Sequence, residues 1–166
     1  MKTIYLVRHA KSSWELENID DYDRPLKGRG IRDAHLVSQY VSEESGKIQA
    51  IYSSPATRAL HTAIIFSRTL GIPLSKISLQ EELYLSTVRE MLTFIGTLDS
   101  KLDTIMVFTH NPTITQFINE MTDVNIHNVP TSGVGCLRFD SPTWDLNKGS
   151  GELLYFDYPK KRKNKA

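Results

Sequence analysis

The sequence predicts an α/β fold: a three-layer sandwich with a mostly parallel central sheet flanked by helices. Two observations carry the prediction. Short apolar runs rich in β-branched and aromatic residues recur at residues 3–7, 48–52 and 104–108, each too short for a helix and each ending on polar residues. Each leads, directly or after a loop, into a stretch with apolar residues at helical spacing. Strand then helix, repeated, is the pattern of a parallel sheet whose crossovers are helices. The length of 166 residues suits one folding unit, expected over residues 1–158.

Taken in order, residues 3–7 read as a buried strand that stops at Arg8-His9, and residues 30–41 as a helix. The run 48–52 enters Ser53-Ser54-Pro55 and then a helix over 57–70, where Leu60, Ile64 and Ile65 share a face and Gly71 and Pro73 provide the stop. Residues 85–97 have helical spacing. The strand 104–108 leads through Thr109-His110-Asn111-Pro112 into a helix reaching Met121, with Asn111 expected as its N-cap and Pro112 in its first turn. Residues 135–140 and 152–158 read as late strands, antiparallel or at an edge. The last eight residues, 159–166, hold five Lys/Arg and no acid and are expected to be a disordered basic tail.

Composition narrows the class. Hydrophobic residues make up 40% and charged residues 23%, an ordinary globular balance. No apolar run approaches the roughly 18–20 residues of a membrane span, and the early run Ile4 to Val7 meets Arg8 before a signal-peptide core could form. A soluble, cytoplasmic protein is expected. The single cysteine, Cys136, excludes an internal disulfide framework and a cysteine-based zinc cluster. The net charge of +1 conceals an asymmetry, because outside the tail 15 bases face 19 acids. A nucleic-acid role would therefore rest on the tail alone, and none is expected.

In open α/β sheets, ligands bind beyond the carboxyl ends of the strands. Arg8, His9, Ser53 and His110 all fall at such ends, and Arg58 lies one turn into the following helix. Alone, Arg8-His9 reads as a surface ion pair beside a capping histidine. Convergence with Arg58 and His110 makes it a candidate site. Two guanidiniums and two imidazoles without clustered carboxylates suit an anion and not Mg²⁺ or Ca²⁺, which need oxygen ligands. Phosphate fits best, since arginine presents a planar fork to phosphoryl oxygens and the helix starts near Thr57 and Pro112 add backbone donors. A neutral imidazole is a competent nucleophile near pH 7, which makes His9 the candidate covalent catalyst. His35, His61 and His127 show no repeated ligand spacing, so neither a metal nor another cofactor is expected.

Three segments, Leu6-Val7-Arg8-His9-Ala10, Ser53-Ser54-Pro55-Ala56-Thr57-Arg58-Ala59 followed by Thr62, and Thr109-His110-Asn111-Pro112, closely resemble the signature segments of the histidine phosphatase superfamily. More narrowly, Asp21 to Gly30 (Asp-Tyr-Asp-Arg-Pro-Leu-Lys-Gly-Arg-Gly) and Thr131-Ser132-Gly133 resemble the SixA-type phosphohistidine phosphatases. The resemblance implies a phosphoglycerate mutase-like fold and a metal-independent phosphatase in which His9 attacks phosphorus and becomes phosphohistidine. Arg8 and Arg58 would hold the phosphoryl oxygens and His110 an equatorial oxygen. Arg24 and Ser12 are further substrate-binding candidates, each with an alternative: a salt bridge to Asp21 or Asp23 for Arg24, an ordinary turn hydroxyl for Ser12.

Departures from the family pattern are Ala10, where relatives carry glycine, and the acid Glu15, where mutase relatives often carry asparagine. Glu81 and Glu82 occupy the region of the mutase general acid and read as a solvated helix start, outside the catalytic set. Only 51 residues separate Arg58 from His110, too few to build a lid, so an open crevice is expected. The expected substrate is a phosphorylated protein, a histidine-containing phosphotransfer domain or carrier. The alternatives are a small phosphate ester handled by a phosphomonoesterase or mutase, and a non-catalytic module that reads phosphorylated partners.

Overall fold

The computed structural model describes residues 1–164. Six strands form one sheet: β1 (Lys2–Arg8), β2 (Ala50–Ser53), β3 (Ile77–Leu79), β4 (Thr104–Thr109), β5 (Val134–Phe139) and β6 (Gly151–Asp157). Five helices accompany them: α1 (Gly28–Glu44), α2 (Thr57–Thr69), α3 (Val88–Gly96), α4 (Thr113–Met121) and α5 (Pro159–Lys163). The strand order is β3-β2-β4-β1-β5-β6, with β3, β2, β4 and β1 parallel and β5 and β6 antiparallel. The α/β sandwich expected from the sequence is the fold observed. Among the described residues, no helix is long and apolar enough to cross a membrane.

Burial on both faces explains why β1 and β4 read as unbroken apolar runs and not as alternating ones. Successive side chains of β1 go to opposite sides. Ile4 and Leu6 join Ile105 and Val107 against Met91, Phe94, Ile114 and Phe117 of α3 and α4. Tyr5 and Val7 join Met106 and Phe108 against Val37, Val41, Ala63 and Phe66 of α1 and α2.

The structure departs from the sequence reading in several places. The edge strand β3 was not foreseen; it is three residues long, with Ser78 at its centre, and gives no apolar run. Strand β2 begins at Ala50, and just before it the Gln49 side chain accepts the backbone N–H groups of Asp103 and Thr104. Pro112, not Asn111, occupies the cap position of α4. Asn111 Oδ1 accepts from the Thr115 hydroxyl at 2.7 Å, while its amide donates to Asn128 and Val129.

The basic tail is not a disordered end over residues 159–163, which form α5. Proline is suited to the first turn of a helix, and two buried acids draw the chain down. Arg162 Nε meets Asp157 Oδ2 at 2.6 Å and lies over the Tyr40 ring, and Lys163 Nζ meets Asp33 Oδ1 at 2.8 Å. The part of the tail formed by Lys165 and Ala166 lies outside the described residues.

One close approach ties α1 to the chain leaving β1. Lys27 N–H donates to the Lys11 carbonyl at 2.9 Å, and a Cβ on Gly30 would sit 2.2 Å from that same oxygen. Backbone cannot yield as a flexible side chain can, so Gly30→Ala is expected to destabilise the fold by about 1–3 kcal/mol, the usual range for overpacking. Denaturant unfolding of the two proteins checks this.

Candidate active site

Sheet register assembles the site. Strands β1 and β4 are parallel neighbours with Arg8 opposite Thr109, so the next residue of each, His9 and His110, leaves the sheet at adjacent points. Their ring centroids lie 5.1 Å apart. Strand β2 flanks β4 on the other side and delivers Ser54, whose Oγ is 2.8 Å from His110 Nε2. Helix α2 starts three residues later and turns Arg58 inward, 3% exposed, with Nη2 3.4 Å from His110 Nδ1. The loop before β5 closes the back: Ser132 N–H donates to the carbonyls of Arg8 and His9, from a left-handed backbone conformation (φ 60°). Thr62 joins α2 to the same region, accepting from Ala10 N–H and donating to the Arg58 carbonyl.

The tautomer of His9 follows from its partner. A carbonyl only accepts, so the 2.8 Å contact to the Ala10 oxygen places the proton on Nδ1 and leaves the lone pair on Nε2. Burial, reinforced by the Arg58, Arg8 and Arg24 charges and opposed by the Ala10 carbonyl, lowers the His9 pKa to about 4. His110 is lowered to about 3, first by burial and then by His9 and Arg58. Both imidazoles are therefore neutral near pH 7. Titration of the unliganded protein followed by NMR of the histidine ring carbons should show neither ring gaining a proton above about pH 5. An inflection near the unperturbed value of about 6.5 for either ring would contradict the geometry.

Ser54 gives His110 two ways to bond. A guanidinium only donates, so in this structure Nδ1 accepts from Arg58, and Nε2–H donates to Ser54. The hydroxyl can also donate, so a neutral His110 can hold a bare Nε2 against Ser54 and present Nδ1–H to an oxygen without changing charge.

The arginines carry the evidence for an anion. Arg8 Nη1 donates to the Val129 carbonyl at 2.9 Å, but Arg8 Nε and Arg58 Nε are buried with no partner. A buried N–H left unpaired costs about 1–3 kcal/mol, and native structures tolerate few. Both guanidiniums line the pocket, where their positive charge and planar donor array suit an anion. Arg24, 7% exposed, donates to the Ser12 hydroxyl at 2.8 Å and forms the salt bridge to Asp21 at 3.1 Å; Asp23 takes no part. Arg8, His9, Ser12, Arg24, Arg58 and His110 all line one pocket of about 220 Å³, with Trp14 and Leu85 at its mouth. Every site residue expected from the sequence is thus brought to one place.

Asp21 was anticipated only as a partner of Arg24. Its backbone carbonyl accepts from Arg58 Nη1 at 2.6 Å, and its Oδ2 accepts from Arg58 Nη2 at 2.9 Å and from the Tyr84 hydroxyl at 2.7 Å. Partial burial works to raise the Asp21 pKa, but hydrogen bonds from Tyr84, Arg58 and Arg24 outweigh it and hold the carboxyl down at about 2. Tyr84 also packs edge-on against His110. The acid-rich loop at Asp20, Asp21 and Asp23 was the available signal, and it did not say which arginine would use it. Asp21→Asn keeps the shape and removes the charge. It is expected to raise KM and lower kcat/KM about tenfold, or about 1.4 kcal/mol, by loosening Arg58, and steady-state kinetics checks it.

Glu81 and Glu82 are exposed and do not line the pocket; Glu81 accepts from the Tyr22 hydroxyl. Glu15 is exposed and is not among the residues that line the pocket. His35 and His61 sit on α1 and α2 and His127 in the loop after α4, and among the described residues no three His, Cys, Asp or Glu side chains gather as metal ligands.

Fold and site together define an α/β protein whose parallel strand ends gather two histidines and three arginines around one small pocket. The model of the histidine phosphatase superfamily (branch 1) matches residues 4–95, and the chain belongs to that superfamily, whose members are phosphatases and mutases. An uncharacterised protein of Mycobacterium tuberculosis is 29% identical over 164 residues, covering 93% of this chain and 100% of its own. A solved chain from Agrobacterium tumefaciens, provisionally named the phosphohistidine phosphatase SixA, is 25% identical with a TM-score of 0.80, covering 95% of this chain and 98% of its own. The protein histidine phosphatase SixA solved with tungstate shares the fold at a TM-score of 0.81 and 19% identity, covering 96% of this chain and 98% of its own.

Proposed function

We propose that this protein is a metal-independent phosphohistidine phosphatase that works through a phosphohistidine intermediate on His9. The observation that carries the reading is the pocket itself. At about 220 Å³ it lies below the roughly 300–1,000 Å³ typical of sites that enclose a small molecule. It admits a phosphoryl group, and whatever bears that group stays outside, as a side chain on a protein surface would.

In the proposed reaction, His9 Nε2 attacks phosphorus in line as the bond from phosphorus to the leaving imidazole nitrogen breaks. That nitrogen takes a proton from water. The Arg8 and Arg58 guanidiniums and His110 Nδ1–H meet the three equatorial oxygens, with Arg24 and the Ser12 hydroxyl beside them. Preorganised donors of this kind supply most of the catalysis in phosphoryl transfer. Water then attacks the phosphorus of phospho-His9, freeing inorganic phosphate and restoring the imidazole. A P–N bond to imidazole breaks without a strong acid, which suits a pocket whose lining offers no carboxylate. The unpaired, buried Cys136 suits a reducing cytoplasm.

A substrate panel tests the reading: a histidine-phosphorylated phosphotransfer domain, a phosphotyrosine peptide, and small sugar phosphates, compared by kcat/KM. Preference for the phosphohistidine protein is expected. Turnover confined to sugar phosphates would favour a small-molecule phosphomonoesterase, isomerisation stimulated by a bisphosphate would favour a mutase, and tight binding of phosphoproteins without turnover would favour a reader module.

A further inference from the structure

The mouth of the pocket carries a charge pattern that chemistry on a phosphoryl group does not need. Thr131 lines the pocket and also an adjoining groove walled by Arg29, Lys160 and Lys163. Arg29 continues into a second groove with Lys27, Arg32 and Leu16, which returns at Ser13 to the pocket residues Ser12 and Trp14. With Lys11 in the pocket lining, six bases follow one another around one side of the opening. The acids among them are few: Glu15 is exposed, and Asp33 is buried and already paired with Arg29 and Lys163. The chain outside its last eight residues has more acids than bases, so this arc is a local concentration.

Exposed apolar side chains stand at the same opening. Trp14 is 72% exposed, Leu85 60% and Leu16 55%. The Trp14 ring is held by Arg24, whose Cζ lies 3.5 Å from its centroid. Leu85 is held in the left-handed backbone region at φ 49°, where a bulky residue is strained, and such strain tends to be kept at functional edges.

We infer that this rim is a docking surface for an acidic face of the phosphorylated protein substrate, with Trp14 and Leu85 as apolar contacts beside the phosphorylated side chain and the basic arc steering encounter. The inference rests on the phosphohistidine phosphatase reading and adds to it the surface and charge of the partner. Aromatic anchors inside a charged rim are the common anatomy of such interfaces, and complementary charge acts mainly on association.

The test uses the full chain and the double variant R32E/K160E, two exposed bases outside the catalytic pocket that form no ion pair among the described residues. The probes are an acidic, histidine-phosphorylated phosphotransfer domain and para-nitrophenyl phosphate. For the variant, kcat/KM on the protein probe is expected to fall at least tenfold at low ionic strength and to approach wild type near 0.5 M salt, with para-nitrophenyl phosphate hydrolysis unchanged. In the wild type, activity on the protein probe should fall with added salt far more steeply than activity on the small ester, a comparison that needs no variant. Equal protein-probe activity of variant and wild type at every ionic strength would overturn the docking surface and leave the proposed function standing. The same result with weakened binding of a DNA duplex by the variant would reassign the arc to nucleic acid. Absence of wild-type turnover on any phosphohistidine protein, with the small ester still hydrolysed, would remove both.

Discussion

His9→Ala is expected to abolish turnover and, with it, the capture of labelled phosphate on the protein. In the wild type, acid-labile, base-stable label should appear at His9 after rapid quenching. The variant should show none, with kcat reduced at least about 10⁴-fold, more than about 5 kcal/mol of barrier. The size of the effect follows from the site's composition. The pocket lining holds no cysteine or carboxylate, its one serine, Ser12, is held by Arg24, and His110 has its Nε2 committed to Ser54. Loss of label with most of the turnover intact would show direct attack by water and exclude a covalent route.

Arg58→Ala should produce the second-largest loss, about 10²–10³-fold in kcat/KM, the scale seen when one preorganised transition-state donor is removed. Arg58 is also the hub of the pocket: it donates to the backbone and carboxylate of Asp21 and to His110 Nδ1. Removing it leaves Asp21 with Arg24 as its remaining cation and frees His110. Arg58→Lys should recover little, because an ammonium cannot reproduce the planar fork. Measuring both variants against Asp21→Asn separates the roles. If Arg58 acted only as a structural brace, Asp21→Asn and Arg58→Ala would cost the same; if it meets phosphoryl oxygens, the arginine variant should be at least tenfold worse. Full activity in Arg58→Ala would remove Arg58 from the site.

What could be read in advance, and what could not, follows the range of the interactions. The parallel strands and the helices between them are encoded locally, in apolar periodicity and in stops such as Gly71 and Pro73. The pocket residues sit at the junctions those elements define, so Arg8, His9, Arg58 and His110 could be placed before any coordinates. Strand β3 depends on the edge of β2 for its pairing and carries almost no pattern of its own. The bracing of Arg58 by Asp21 joins residues 37 apart in sequence through a loop whose path no periodicity describes. The C-terminal helix was misread for a related reason: composition reports the five bases, but only the folded body shows that Asp33 and Asp157 lie waiting as their partners.

The insertion of β4 between β1 and β2 has a kinetic corollary. The segment that delivers His110 must enter between two strands that both precede it in the chain, and it pairs with one about a hundred residues upstream. Pairings so distant in sequence form late and slowly. Regain of enzymatic activity after dilution from denaturant should therefore trail the return of helical circular dichroism, making hydrolysis a stopwatch for the final step of assembly.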